Sequence, residues 1–239
     1  MSNPLEELAN LHNTDKGTLP HGHAYTDVYY KYWKEIQDSV KSVLEIGIWR
    51  GASLKTLRDF FHNAEIYAID VQDGVEGGRG EPIGDLLDGD RITTYLCDQT
   101  DQVKLNELFG NMQFDIIIDD GCHNTLYQQK SLSYLFDYVK PGGLYVVEDL
   151  HTSLMGPQWG LYPDDSYTCL NILKRYKDTG EISSPHLSPE KIDYLNNNIE
   201  SIEVYDLKRT VPIPRSLLYE RMFGQTKCDL TAVIKKRTV

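Results

Sequence analysis

Two short apolar runs in this chain each break off at a pair of acids: IIIDDGCH at Ile116–His123 and VVEDLHT at Val146–Thr152. Successive side chains along a strand point to opposite faces, so adjacent carboxylates converge only where a strand gives way to a loop. If the two strands lie side by side, Asp119, Asp120, Glu148 and Asp149 meet His123 and His151 at one spot. Sheet stability gains nothing from such a cluster, whereas a hard divalent cation takes oxygen ligands of this kind. Helix capping is the competing use of Asp119 and Asp120, because Asp is a favoured N-cap. The second acid pair favours the cation.

Around these runs, strand and helix patterns alternate. Apolar stretches predict strands at Ser42–Gly47, Glu65–Asp70, Ile92–Leu96, Phe114–Asp119 and Gly143–Glu148. Helical spacing predicts helices at Ser53–His62, Gln102–Phe109 and Thr125–Val139. In the last of these, Leu132, Leu135, Phe136 and Val139 share a face, Thr125 and Gln128 form a capping box, and Lys140-Pro141-Gly142 ends the run. Such alternation predicts a parallel sheet covered on both faces.

The rhythm then breaks. His151–Ser201 reads as an insertion with a helix near Tyr167–Tyr176 and another opened by Ser188-Pro189. Two further strands are expected at Ile202–Leu207 and Leu230–Lys235, joined by a link that includes Leu217–Phe223. The last strand is expected to be antiparallel, since no crossover helix precedes it. With no repeat and no interdomain linker, residues 1–239 read as one domain. An N-terminal flap or helix occupies 1–40 and a substrate-side insertion 150–200.

Composition excludes several classes. A net charge of −12 argues against a nucleic-acid surface, which would cluster Lys and Arg. No apolar run approaches the ~18 residues of a membrane span. The polar N-terminus does not have a signal-peptide pattern, and Cys97, Cys122, Cys169 and Cys228 form no CxxC pair. They read as reduced thiols of a cytoplasmic protein. Cys122, inside the acidic motif, reads as a small residue in a tight turn rather than a nucleophile.

The first predicted strand runs into VLEIGIWRGASL, with Gly47 and Gly51 flanking Trp49. A dinucleotide fingerprint has a further glycine between these two. Trp49 would obstruct a pyrophosphate, which counts against NAD and favours a cofactor without phosphates. Asp70 ends the second strand, where an acid can accept both hydroxyls of a ribose. Cys97-Asp98-Gln99 offers an acid or an amide to an adenine edge. Glu45, inside its strand, needs partners if buried: either a structural hydrogen bond or a cofactor ammonium serves. Asp73–Gly80 lacks the GK[ST] ending of a P-loop and reads as an ordinary loop. Taken in order, these signals describe an adenosine site, and S-adenosylmethionine fits it.

The motifs E-I-G-x-x-x-G-A-S-L, I-D-D-G-C-H and E-D-L-H-T resemble class I S-adenosylmethionine-dependent, metal-dependent sugar O-methyltransferases. The likeness is to the macrolide and rhamnosyl enzymes, and cephalosporin hydroxylase-like proteins share the motifs. The leading segment Asn13–Trp33 resembles that of the same group. The resemblance implies a Rossmann-like α/β fold with seven strands, mostly parallel and doubly wound. It implies Asp120, Glu148 and Asp149 as Mg²⁺ ligands and His123 as the base, making His123 and Asp120 the catalytic pair. It implies Gly47, Gly51 and Asp70 as cofactor contacts; Glu45, Asp98 and Asp119 complete the candidate cofactor set.

The implied reaction moves the methyl of S-adenosylmethionine to a sugar hydroxyl. A divalent cation lowers the hydroxyl's pKa, and a histidine, which titrates near neutrality, accepts the proton. The implied partner is a small sugar-containing acceptor, and the implied assembly a homo-oligomer. Cys122 stands where relatives commonly carry serine. The segment after EDLHT departs most, leaving the acceptor open, a catechol-type or cephalosporin hydroxylase-like one included. A non-catalytic binding scaffold is the reading from another class.

Several residues keep two readings. Asp15-Lys16-Gly17 with His21, His23 and Tyr25 forms either a flap over the cofactor or a solvated lead-in. Trp159, Tyr162 and Tyr167 form either a sugar-stacking wall or the insertion's own core. His151 either supports the acids or acts directly. His12, His21 and His62 are expected at the surface.

Overall fold

The computed structural model describes residues 3–18, 22–71, 89–208 and 228–238. Asp73–Gly80, Leu217–Phe223, His21 and the Cys228 side chain lie outside the described residues. The strands are β1 (Ser42–Ile46), β2 (Glu65–Asp70), β3 (Ile92–Leu96), β4 (Phe114–Asp119), β5 (Val139–Val147), β6 (Ile199–Lys208) and β7 (Cys228–Lys236). They form one sheet in the order β3-β2-β1-β4-β5-β7-β6. The first five pair in parallel, and β7 runs antiparallel to β5 and β6. The expected antiparallel last strand is there.

The period of two along each strand explains the two-faced burial. Ile116 and Ile118 enter one core while Ile117, between them, enters the other; Leu144 and Val146 alternate with Tyr145 and Val147 in the same way. Helices α1 (Pro4–His12), α2 (Tyr25–Trp33) and α3 (Ala52–Phe60) cover the first face through Leu5, Trp33 and Leu57. Helices α4 (Gln102–Phe109), α5 (Thr125–Leu135), α6 (Cys169–Thr179) and α7 (Pro189–Asn198) cover the second through Phe109, Leu132, Leu173 and Leu195. No helix among the described residues is long and apolar enough to cross a membrane.

Helix α5 departs from expectation at both ends. Its N-cap is Asn124, whose side chain accepts from the Leu126 and Tyr127 N–H groups. The Thr125/Gln128 box does not form: Thr125 accepts from the Cys169 N–H, and Gln128 donates to the Glu148 carbonyl at 2.9 Å. The helix ends at Leu135 instead of Val139, followed by a 3-10 turn at Phe136–Tyr138, and β5 already starts at Val139. The cause is long-range: the buried ammonium of Lys236 donates to the carbonyls of Phe136 at 3.0 Å and Val139 at 2.8 Å. An apolar spacing of four cannot reveal that competitor.

Strand order reverses between β1 and β4, and ligands of open α/β sheets bind at the carboxyl ends beside such a reversal. The backbone keeps pairing past those ends: the Asp120 N–H donates to Ile46 at 3.0 Å and the Glu148 N–H to Asp119 at 2.9 Å. Both acid pairs are thereby held against the turn that follows β1.

Candidate active site

A cavity of about 490 Å³ opens there, lined by residues that include Lys16, Gly47, Trp49, Asp70, Asp120, His123 and Asp149. Pockets for small ligands are commonly ~300–1,000 Å³.

On its cofactor side, Gly47 has φ +89°, a conformation L side chains rarely adopt. Asp70 Oδ2 accepts the Ile48 N–H at 2.8 Å, which ties the turn to the end of β2. Trp49 also holds a positive φ, is 54% exposed, and carries the Arg50 guanidinium 4.7 Å from its ring centre. Glu45 is fully buried and accepts from the Ser53 hydroxyl at 2.7 Å. Burial pushes its carboxyl up to about 7, against the pull of Lys16.

Four candidate cofactor residues stand back from the cavity, the buried Glu45 among them. Gly51 is the N-cap of α3 and outside the lining. Asp98 is exposed and accepts the N–H of Thr100 at 2.7 Å, while its neighbour Gln99 lines the cavity. Asp119 is buried and accepts from Gln99 Nε2 and the Tyr145 hydroxyl, each at 3.2 Å. Burial pushes its carboxyl up to about 6. It braces the ends of β3, β4 and β5.

The acids on the other side split into two groups. Asp120, His123 and Asp149 bring potential ligand atoms within 4.8 Å of one another. His123 Nε2 lies 3.4 Å from Asp149 Oδ2 and 3.9 Å from Asp120 Oδ1. Both His123 and Asp149 have positive φ, a strain that clusters at functional sites. Glu148 faces a different partner: its carboxylate accepts from Lys16 Nζ at 2.9 Å and from the Tyr29 hydroxyl. Lys16 also donates to Asp120 and lies 3.5 Å from Glu45 Oε1.

The electrostatics follow from this layout. Burial and the neighbouring Asp120 raise the Glu148 carboxyl well above its ordinary range, and burial raises Asp120. Burial works against the charge on Lys16, but Asp120, Glu148 and Glu45 hold its pKa well above normal. Burial also works against Asp149, yet His123, His23 and His151 hold it down to about 2. Burial opposes protonation of His23, but a 3.0 Å contact to Asp229 raises its pKa; burial lowers that of His151.

One ammonium therefore faces three carboxylates, beside a carboxylate–imidazole trio. Hard oxygen donors in such excess over positive charge fit a divalent cation.

The sequence missed part of this. Tyr25 and Tyr29 stand one turn apart on α2 and hold Asp149, at 2.6 Å, and Glu148. Their i, i+4 spacing was a readable signal of a shared face. Lys16, only 5% exposed, lies in the segment that reads as either a flap or a solvated lead-in; it lines the cavity, but nothing in the sequence signalled that its ammonium meets the acids. His12, expected at the surface, instead pairs with Asp59 at 2.7 Å, whereas His62 is exposed. Trp159, Tyr162 and Tyr167 all lie outside the lining; Tyr167 packs on the core with Arg175 against its ring.

Comparison with known proteins agrees with this geometry. No protein-family model matches the chain. The 8-demethyl-8-alpha-L-rhamnosyl tetracenomycin-C 2'-O-methyltransferase of Streptomyces olivaceus is 34% identical over 182 residues, covering 73% of this chain and 45% of its own. The demethylmacrocin O-methyltransferase of Streptomyces fradiae is 33% identical over 217 residues, covering 84% and 51%. Among solved structures, MycE methyltransferase from the mycinamycin biosynthetic pathway, in complex with Mg, SAH and mycinamycin VI, superposes with a TM-score of 0.71 at 28% identity. That match covers 98% of this chain and 54% of MycE. An O-methyltransferase from Bacillus cereus shares the fold alone, with a TM-score of 0.52 at 14% identity.

The chain spans about half the length of the relatives it matches. It has the class I methyltransferase fold and is a homologue of the sugar O-methyltransferases of macrolide and tetracenomycin pathways.

Proposed function

We propose that this chain carries an S-adenosylmethionine- and Mg²⁺-dependent O-methyltransferase activity toward a hydroxyl of a sugar-bearing small molecule. One observation carries the reading: Asp120, His123 and Asp149 face the same cavity as Gly47 and Asp70. A metal-type acid cluster and an adenosine-type turn share one space, as a bisubstrate reaction requires.

In this reading Asp70 accepts the ribose hydroxyls, and the backbone at Gly47 lets the cofactor approach. Glu45, Gly51, Asp98 and Asp119 complete the cofactor side, the last three by bracing it. Asp120, Glu148 and Asp149 would hold Mg²⁺, which would supply a Lewis acid to lower the acceptor hydroxyl's pKa. His123 takes the hydroxyl proton, and Asp149 orients the imidazole across 3.4 Å. In-line placement does the remaining work, since the sulfonium methyl is already activated. A single catalytic domain, a homo-oligomeric state and a cytoplasmic location belong to the same reading, supported by the resemblance.

The test is methyl transfer from labelled S-adenosylmethionine to a panel of rhamnosyl and macrolide glycosides, with products identified by mass spectrometry. Methylated glycoside that forms only with a divalent cation is the expected result. Full transfer by metal-stripped enzyme in EDTA removes the cation from the scheme. Methylation confined to catechols reassigns the acceptor. Calorimetry that detects no binding of S-adenosylhomocysteine overturns the cofactor.

A further inference from the structure

The buried lysine at the centre of the acids has no part in the scheme above. Lys16 Nζ donates to Glu148 Oε2 at 2.9 Å and to Asp120 Oδ2, taking an oxygen from each of two proposed cation ligands. Its side chain is 6% exposed, so it is built into the site rather than draped over it. The segment that carries it is pinned by its backbone: the Thr26 N–H donates to the Lys16 carbonyl at 3.1 Å and the Ala24 N–H to Gly17 at 2.9 Å. Its four-carbon stem is the flexible part.

A second observation gives that stem somewhere to go. Glu45 Oε1 is buried without a hydrogen-bond donor and lies 3.5 Å from the same ammonium. An orphaned buried carboxylate oxygen is costly. A small swing of Nζ would satisfy it, at the expense of the bonds to Asp120 and Glu148. Lys16 thus stands between two acceptor sets, one on the cation side and one on the cofactor side.

We propose that Lys16 is an internal stand-in for the divalent cation. It neutralises Asp120 and Glu148 while the ion is absent, then yields them and swings to Glu45 when the ion binds. The inference rests on the divalent-cation reading of the proposed function. An ammonium at hydrogen-bond distance from these carboxylate oxygens repels a second cation and competes for the same negative charge, so ion affinity is reduced by the weight of the Lys16-bound state. Without any cation, the same acids would repel one another in a buried space. The exchange also moves positive charge onto Glu45, so ion binding changes the cofactor side of the cavity.

The experiment is calorimetric titration of the metal-stripped chain with Mn²⁺, with thermal melts recorded with and without the ion. Lys16→Met is expected to melt lower without metal, to bind Mn²⁺ ~10-fold more tightly or better, and to show a larger metal-linked rise in Tm than wild type. Lys16→Gln, which can still donate to Glu148, should show the same direction if the methionine variant folds poorly. Glu45→Gln should weaken Mn²⁺ binding in the wild-type background and leave it nearly unchanged beside Lys16→Met, a non-additivity that simple loss of charge would not produce.

Equal or weaker Mn²⁺ binding by both Lys16 variants overturns the exchange and leaves the divalent-cation reading standing. Wild type that binds no Mn²⁺ overturns both.

Discussion

Gly47 passes so close to Asp120 that a Cβ on the glycine would sit 2.2 Å from the Asp120 carbonyl oxygen. The cofactor turn after β1 and the acid loop after β4 are therefore one packed unit, with no room for a side chain between them. Gly47→Ala adds that clash to a strained φ. It should destabilise the protein by about 1–3 kcal/mol and weaken S-adenosylhomocysteine binding. Urea unfolding and calorimetry measure the two effects.

Tyr25 and Tyr29 couple α2 to the acids. Tyr29→Phe removes a buried donor to Glu148 and should cost about 1–2 kcal/mol in urea unfolding. Tyr25→Phe releases Asp149 and should lower methyl-transfer turnover more than it lowers cofactor affinity. Equal losses in both quantities would show that the helix merely packs.

His123→Ala tests the proposed base directly. Turnover should fall by about 10²–10⁴ while S-adenosylhomocysteine binding is retained, since the imidazole faces Asp120 and Asp149. Unchanged turnover would reassign the proton acceptor.

Asp115 supplies a pH test away from the site. Burial works against its charge, but Lys140 Nζ at 2.8 Å and the Lys41 and Ser42 N–H groups depress its pKa. A depressed carboxyl contributes stability that is fully present above its unfolded pKa of about 3.9 and lost as pH falls through the folded value. Asp115→Asn should therefore lower Tm at neutral pH, and the gap from wild type should close as pH drops below about 4. A gap that is constant with pH would mean that the charge contributes nothing.

Lys236→Met leaves the carbonyls of Phe136, Asp137 and Val139 without their buried donor. A loss of about 1–3 kcal/mol is expected, with methyl transfer at permissive temperature unaffected. Melting curves read in parallel with activity separate the two.

How much of this was legible depends on the range of the interaction. The bounds of β2, β3 and β4 follow from local apolar runs ended by acids or turns, and those runs survive in the structure unchanged. The end of α5 was misread because its terminator, Lys236, lies at the far end of the chain. That Asp120 and Asp149 would meet in one acid cluster was legible because adjacent acids at strand ends serve no packing purpose. Lys16, Tyr29 and His23 were not, because each could equally have been solvated or simply packed until its partner across the fold was known.

Hydrophobic periodicity and paired acids alone determined a parallel α/β sheet with a cation-type cluster at its carboxyl edge, since both signals are carried by neighbours in the chain. Which carboxylates face one another was decided only by tertiary structure. Strand order sets Asp120 beside Asp149, and the N-terminal segment brings Lys16 onto Glu148 and Asp120. The physical reason is that charge interactions depend on distance and burial in space, and neither quantity is encoded in the spacing of residues along a strand.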